Sequence, residues 1–289
     1  MYLMVNLFVR SVKKIWMVIN LTTVGEIMSS DPVTVNVDTQ ATKVRSIFRD
    51  GWFRSIPVLS KNRLEGIISR GDIMFLSSTK SNIEARVIMK HPKLIATPEM
   101  DIRDVAKNLI KSDSVQAPVV ESTDNMMVVG VLSMGDILKE LIGSESSADD
   151  STITEIITKK VVKASYDDHL SKVWALMDES GFSGLPVVKK DKLIGIITRK
   201  DIIKSGHAIK GLDNVDKSIK VEKVMVTPPI VVTEQSSIKQ AAELMLKNDI
   251  GRLPVVENPV YIKKEPQRAK ESKIIGIIAR EDILGTYLS

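Results

Sequence analysis

The sequence contains no cysteine. That absence removes disulfides, thiolate nucleophiles and Cys-ligated zinc or iron–sulfur centres, and it suits a reducing cytosol or a thermophile that avoids labile residues. Histidine is nearly as scarce. His91, His169 and His207 stand far apart, without a second histidine at metal-ligand spacing or the makings of a histidine-based triad. Aromatic residues make up only 4% of the chain, so its core must be built from Ile, Val, Leu and Met. Walker and GxGxxG phosphate loops are missing too. Long apolar runs are also lacking. The opening stretch MYLMVNLFVRSVKKIWMVIN is broken by Arg10, Lys13 and Lys14, short of the roughly 20 apolar residues a membrane span needs. No small-residue cleavage site follows it, which argues against a secretory signal. Residues 1–20 read as an N-terminal extension: a docked segment, a start placed upstream of Met17, or an interfacial amphipathic helix.

What is present is globular. The 289 residues are 43% apolar and 27% charged, enough for about two domains that each bury a core. A net charge of +5 with pI near 9.1 favours anionic partners, although a Lys-rich soluble surface has the same balance.

Internal repetition organises the chain. An apolar-Pro-Val core recurs as Ile56-Pro57-Val58, Ala117-Pro118-Val119, Leu185-Pro186-Val187 and Leu253-Pro254-Val255. At three fixed distances before each proline lie apolar residues: Ala41, Val44 and Phe48; Ile102, Val105 and Leu109; Leu170, Val173 and Met177; Ile238, Ala241 and Met245. Spacings of three and four predict an amphipathic helix with one buried face. After each proline comes Gly-apolar-apolar, a small residue, two variable positions and Asp. The Gly–Asp pairs are Gly66 and Asp72, Gly130 and Asp136, Gly195 and Asp201, Gly276 and Asp282. An apolar pair then starts a second helix. Short strands such as Val33-Thr34-Val35 and Ile230-Val231-Val232 precede the first helix, so each unit reads strand–helix–strand–strand–helix. Met28, Met89 and Met225 recur at one place before a proline and read as core packing.

The predicted units cover 21–78, 82–142, 152–206 and 219–289, joined by linkers at 143–151 and 207–218. The linker 143–151 is Ser- and acid-rich and divides the chain into two halves. In the fourth unit the turn swells into 257–273, expected to be a mobile, partner-facing surface loop.

The four copies resemble CBS (cystathionine-β-synthase) domains, over nearly the whole chain. The resemblance implies an α/β (α+β) fold of four β-α-β-β-α units, paired as two Bateman modules. It also implies clefts for adenosine-containing ligands (AMP, ADP, ATP or S-adenosylmethionine, with or without magnesium) and further assembly as a homodimer. Such chains often have no catalytic domain, and no stretch outside these repeats is long enough for one.

The small residue and the Asp sit where a strand hands over to a helix, so free backbone N–H groups face an anion. A hydroxyl there can bond a phosphate or ribose oxygen, and the carboxylate can accept from a ribose diol. The same Ser69-x-x-Asp72 pattern is equally a capping box. Arg70, Arg199 and Arg280 follow the small residue and can fork onto a phosphate, or serve a surface ion-pair network. By the resemblance, Arg54 and Arg252 hold phosphate-contacting places, while the second and third units have uncharged Val115-Gln116 and Ser183-Gly184 there. Ser55 and Ser183 join this ligand-binding set. The first unit, with Arg54, Ser69, Arg70 and Asp72, ranks highest, followed by the third with Thr198, Arg199 and Asp201. The fourth keeps Arg252, Arg280 and Asp282 but has Ala279 in place of the hydroxyl. The second has Ser133 and Asp136 without phosphate-facing charge. The adenine would lie along the first-strand backbone near Thr34, Ile95, Val161 or Ile230.

The expected function is a cytoplasmic, non-catalytic sensor that passes nucleotide occupancy to a partner protein or to its own assembly. Rival readings are a nucleic-acid binder gated by nucleotide, an S-adenosylmethionine-binding CBS protein, an enzyme, and a scaffold with vestigial clefts.

Overall fold

The computed structural model describes residues 22–51, 53–74, 83–142, 150–206 and 219–289. The N-terminal extension, the linker at 207–218 and most of that at 143–151 lie outside the described residues. In the first unit, helix Val24–Ile27, β1 (Ser29–Ser30) and β2 (Val35–Asn36) lead to helix Ala41–Asp50, the hairpin of β3 (Ser55–Ser60) and β4 (Arg63–Ser69), and helix Arg70–Met74. The second runs through helices Ala85–Ile88 and Ile102–Lys111, β5 (Gln116–Val120), β6 (Val128–Ser133) and helix Met134–Leu141. The third has a 3₁₀ turn Ile153–Ile156, β7 (Ala164–Ser165), helix Leu170–Glu179, β8 (Gly184–Lys189), β9 (Lys192–Thr198) and helix Arg199–Lys204. The fourth has the turn Val221–Lys223, helix Ile238–Lys247, β10 (Arg252–Glu257), β11 (Val260–Ile262), β12 (Glu265–Lys270), β13 (Ser272–Ala279) and helix Arg280–Leu288.

Local chemistry accounts for these elements. All twelve residues of the apolar stripes are buried on the first long helix of their unit. Asp101 and Ser237 cap two of those helices by accepting backbone N–H bonds from Arg103 and Gln240. Lys61-Asn62 and Lys190-Asp191 turn their hairpins with positive φ at both central residues, the mirror-image turn whose twist matches paired strands. Each hairpin shifts register just after its Pro-Val, at Val58/Leu59, Val119/Val120, Val187/Val188 and Val255/Val256.

Each unit lends its opening segment to its neighbour. Ser29 and Ser30 pair with Val131 and Gly130 of the second unit, and Lys90 bridges back to Ile67 of the first. Thr158 and Val226 make the same exchange between the third and fourth, with Ile277 and Ile196. The recurrent glycine explains the recurrent methionine. A Cβ on Gly130 would stand 2.6 Å from Met28 Sδ, one on Gly66 3.0 Å from Met89 Sδ, and one on Gly195 2.8 Å from Met225 Sδ.

Four contacts close a ring. Leu59, Leu64 and Val120 join the sheets of units one and two, and Leu193, Val231, Val256 and Ala269 join three and four. Helices pack the modules together, unit one with three and unit two with four, in two continuous cores. β13 also pairs with β9, merging the second module into a five-stranded sheet.

The segment 257–273 is not the mobile loop its Pro and Lys content predicts. β11 and β12 form a hairpin, and β12 lies along residues 229–231 through Val231 N–H to Gln267 O and Ala269 N–H to Pro229 O. Ala269 is buried in the sheet junction, which anchors the insertion by apolar contact.

Candidate functional site

Both readings of the small-residue-to-Asp motif begin at the same atoms. Ser133 N–H and Oγ–H donate to Asp136 Oδ2 at 2.9 and 2.7 Å, while Asp136 N–H returns to Ser133 Oγ. Thr198 and Asp201 repeat this reciprocal cap, as do Ser69 and Asp72. In the fourth unit, alanine leaves only the Ala279 N–H bond to Asp282 Oδ2 at 2.8 Å. The capping box is therefore real, and it uses one carboxylate oxygen. Burial raises the Asp282 pKa above the ordinary carboxylate value.

Two cavities adjoin these helix starts. The narrower, near 150 Å³, is lined by Lys160, Val161, Phe182, Gly184, Arg252 and Asp282 among others. Here the predicted Val161, Arg252 and Asp282 come together from two units, because the third unit's opening segment is exchanged. Arg252 stacks on Phe182 with 5.0 Å to the ring centre, bonds Ser183 Oγ at 3.1 Å and pairs with Glu281 at 3.3 Å.

The wider cavity, near 570 Å³, falls within the roughly 300–1,000 Å³ typical of ligand pockets. Ser133, Asp136 and Lys139 of unit two face Lys247, Asp249 and Arg280 of unit four, with Arg54 of unit one. This corrects the expectation that the second unit lacks phosphate-facing charge. Its own repeat is uncharged at those places, but the ring brings cations from three units.

Arg70, Arg199 and Arg280 do not form a surface network. Arg280 is only 4% exposed and donates Nη2 to Ile250 O at 2.9 Å. Arg199 donates Nη2 to Met177 O at 2.8 Å and lies over Trp174. Their guanidinium groups reach across the module interface to Gly135 and Gly71, where a Cβ would stand 3.2 and 2.9 Å from Nη1. Those two glycines were the missed signal. They occupy the position filled by Lys200 and Glu281 in the other units, and they make room for arginine. Burial, with Arg54 as a nearby like charge, lowers the Arg70 and Arg280 pKa values to about 10. Nε and Nη2 of Arg70 and Nε of both Arg199 and Arg280 are buried and find no acceptor among the described residues. Asp249 supplies a carboxylate 2.5 Å from Arg54 Nη2 and 4.0 Å from Arg280 Nη2.

The remaining predicted residues disperse. Ser55 pairs directly across from Ser69. Asp72 has its second oxygen on Lys90 at 2.6 Å. Thr34 and Ile95 are half-buried and line neither cavity. Ile230 packs its side chain into the core of units two and four. Its segment is paired on one edge with β10 and covered on the other by β12, with Arg268 bonded to Pro228 O.

A family model for the CBS domain matches residues 24–78, 84–143, 153–207 and 221–289. Protein MJ1225 of Methanocaldococcus jannaschii is 27% identical over 280 residues, covering 87% of this chain and 94% of its own. Its crystal structure, described as that of a proposed archaeal homolog of γ-AMPK, superposes with a TM-score of 0.79 at 26% identity over 91% of this chain and 99% of that one. MJ1404 of the same organism is 28% identical over 90% of this chain and 61% of its own length. A conserved protein of Pyrococcus horikoshii shares the fold, with a TM-score of 0.61 at 23% identity over 92% of this chain and 99% of that one. The chain belongs to the CBS domain family, with four CBS repeats paired as two modules.

Proposed function

We propose that this chain is a non-catalytic regulatory sensor that binds adenosine nucleotides at Asp136 and Asp282, and that occupancy acts through the helical contact between its modules. The carrying observation is the wider cavity, where a capped helix start meets Arg54, Lys139, Lys247 and Arg280, with buried guanidinium N–H groups on Arg280 and on nearby Arg70 that find no acceptor among the described residues. A cavity of that polarity fits a ribose on Asp136 and phosphates, free or magnesium-bound, among the cations. The likeness to MJ1225 across the whole ring supports a γ-AMPK-like sensor.

This assignment reverses the ranking of repeats made from sequence. The Asp72 carboxylate is taken by Lys90, and neither Asp72 nor Asp201 lines the two cavities described above. Nucleic acid fits less well, because these cations converge on one concave site rather than spreading along a face. Among the described residues no helix is long and apolar enough to cross a membrane. A cytoplasmic setting, a homodimer and a partner protein that reads the occupied state belong to the same proposal.

Calorimetry with AMP, ADP, ATP and S-adenosylmethionine on wild type, Asp136→Ala and Asp282→Ala tests it. Each variant should lose one binding event. Unchanged titrations in both would reject these sites, and a preference for S-adenosylmethionine would replace the ligand.

A further inference from the structure

One of the four motif carboxylates is fully engaged. Asp72 Oδ2 accepts from Ser69 N–H at 2.7 Å and Ser69 Oγ–H at 2.5 Å, and Oδ1 lies 2.6 Å from Lys90 Nζ. Among the described residues, Asp136, Asp201 and Asp282 make their side-chain bonds through Oδ2 alone. Lys90 reaches Asp72 because unit two lends its opening segment to unit one. Reciprocal backbone bonds with Ile67, both 2.8 Å, fix its Cα beside the carboxylate. The residues at the same register in the other exchanges are Ser29 opposite Val131, Thr158 opposite Ile277 and Val226 opposite Ile196. None of them is a cation.

We infer that Lys90 is a specificity-determining residue that holds the Asp72 cleft against ribose. Its ammonium competes intramolecularly for the carboxylate that a 2′,3′-diol would use. A charge-assisted bond from an ammonium outlasts one from a neutral hydroxyl, so a nucleoside must displace a stronger, tethered donor. The ammonium is 71% exposed while the carboxylate is 8% exposed. Exposed ammonium groups contribute little to fold stability, so the contact can be removed without unfolding the chain. The chain thus has the motif four times but offers its carboxylate freely in fewer clefts. This inference rests on the nucleotide reading and adds which cleft is withheld and by what group.

The test is calorimetry with AMP on the full chain, comparing wild type, Lys90→Ala, Lys90→Met, Lys90→Arg, Asp72→Ala and Lys90→Ala/Asp72→Ala. Ligand-free melts verify that each is folded. Lys90→Ala and Lys90→Met should gain a binding event or tighten one by roughly three- to tenfold, the scale of one net hydrogen bond. Lys90→Arg should match wild type, and the gain should vanish in the double variant. Unchanged AMP binding in Lys90→Ala and Lys90→Met, weaker binding in both, or a gain that persists without Asp72 would each overturn the inference while leaving the nucleotide reading intact. AMP binding to none of the variants would overturn both.

Discussion

Replacing Arg70 by methionine should stabilise the ligand-free protein. Burial first, and then the Arg54 charge, lower its pKa from the ordinary guanidinium value to about 10. That gap of about 2.5 units, at roughly 1.4 kcal/mol per unit, sets a ceiling of about 3.5 kcal/mol on the cost of keeping the cation in the folded state. Partial solvent access lowers the figure, and methionine retains the packing of the aliphatic stem, so a net gain of about 1 kcal/mol is expected. The pH sign follows from the depressed folded value of a base. At neutral pH the penalty is complete, and wild-type stability recovers only as pH rises above about 10 towards the ordinary guanidinium value, where the folded state releases its proton first. Urea denaturation at pH 7 measures the gain. A ligand-free loss above about 1 kcal/mol would refute the view that this arginine is held at a cost.

Gly130→Ala should cost about 1–3 kcal/mol in the same denaturation assay, since its Cβ would meet Met28 Sδ at 2.6 Å and Ser29 O at 3.0 Å. Gly285→Ala, in a helix with open space around it, should instead gain about 0.5–1 kcal/mol. Nucleotide affinity at the narrower cavity should weaken as pH falls through the raised Asp282 titration, because diol hydroxyls donate only to the ionised carboxylate. Asp282→Asn should flatten that profile in calorimetry at a series of acid pH values.

Much of the fold was legible because its signals are local. The stripes on helices Ala41–Asp50, Ile102–Lys111, Leu170–Glu179 and Ile238–Lys247 are periodic within ten residues, and a helix buries what its period dictates. The capping box at Ser133 and Asp136 was legible for the same reason. Site membership was not. Asp282 meets Val161 only because a strand is exchanged, and Asp136 meets Arg54 and Lys247 only because two modules close a ring. No spacing within one repeat encodes such neighbours. Nor does any spacing show that Arg199 and Arg280, which follow the small residue, reach Gly71 and Gly135 across the module interface. Insertion 257–273 looked like a loop because its composition is polar, and its apolar anchor is the single small side chain of Ala269.

The turn from Ala279 to Asp282 is a party wall. Ala279, Glu281 and Asp282 face the narrower cavity, and Arg280 faces the wider one. A phosphate that draws Arg280 pulls on the turn that carries the other cavity's carboxylate, itself fixed by Ala279 N–H. Two ligands at these cavities would therefore sense one another across a single helical turn, without any domain swing. In that respect units two and four, which belong to different modules by sequence, work as one half of the molecule.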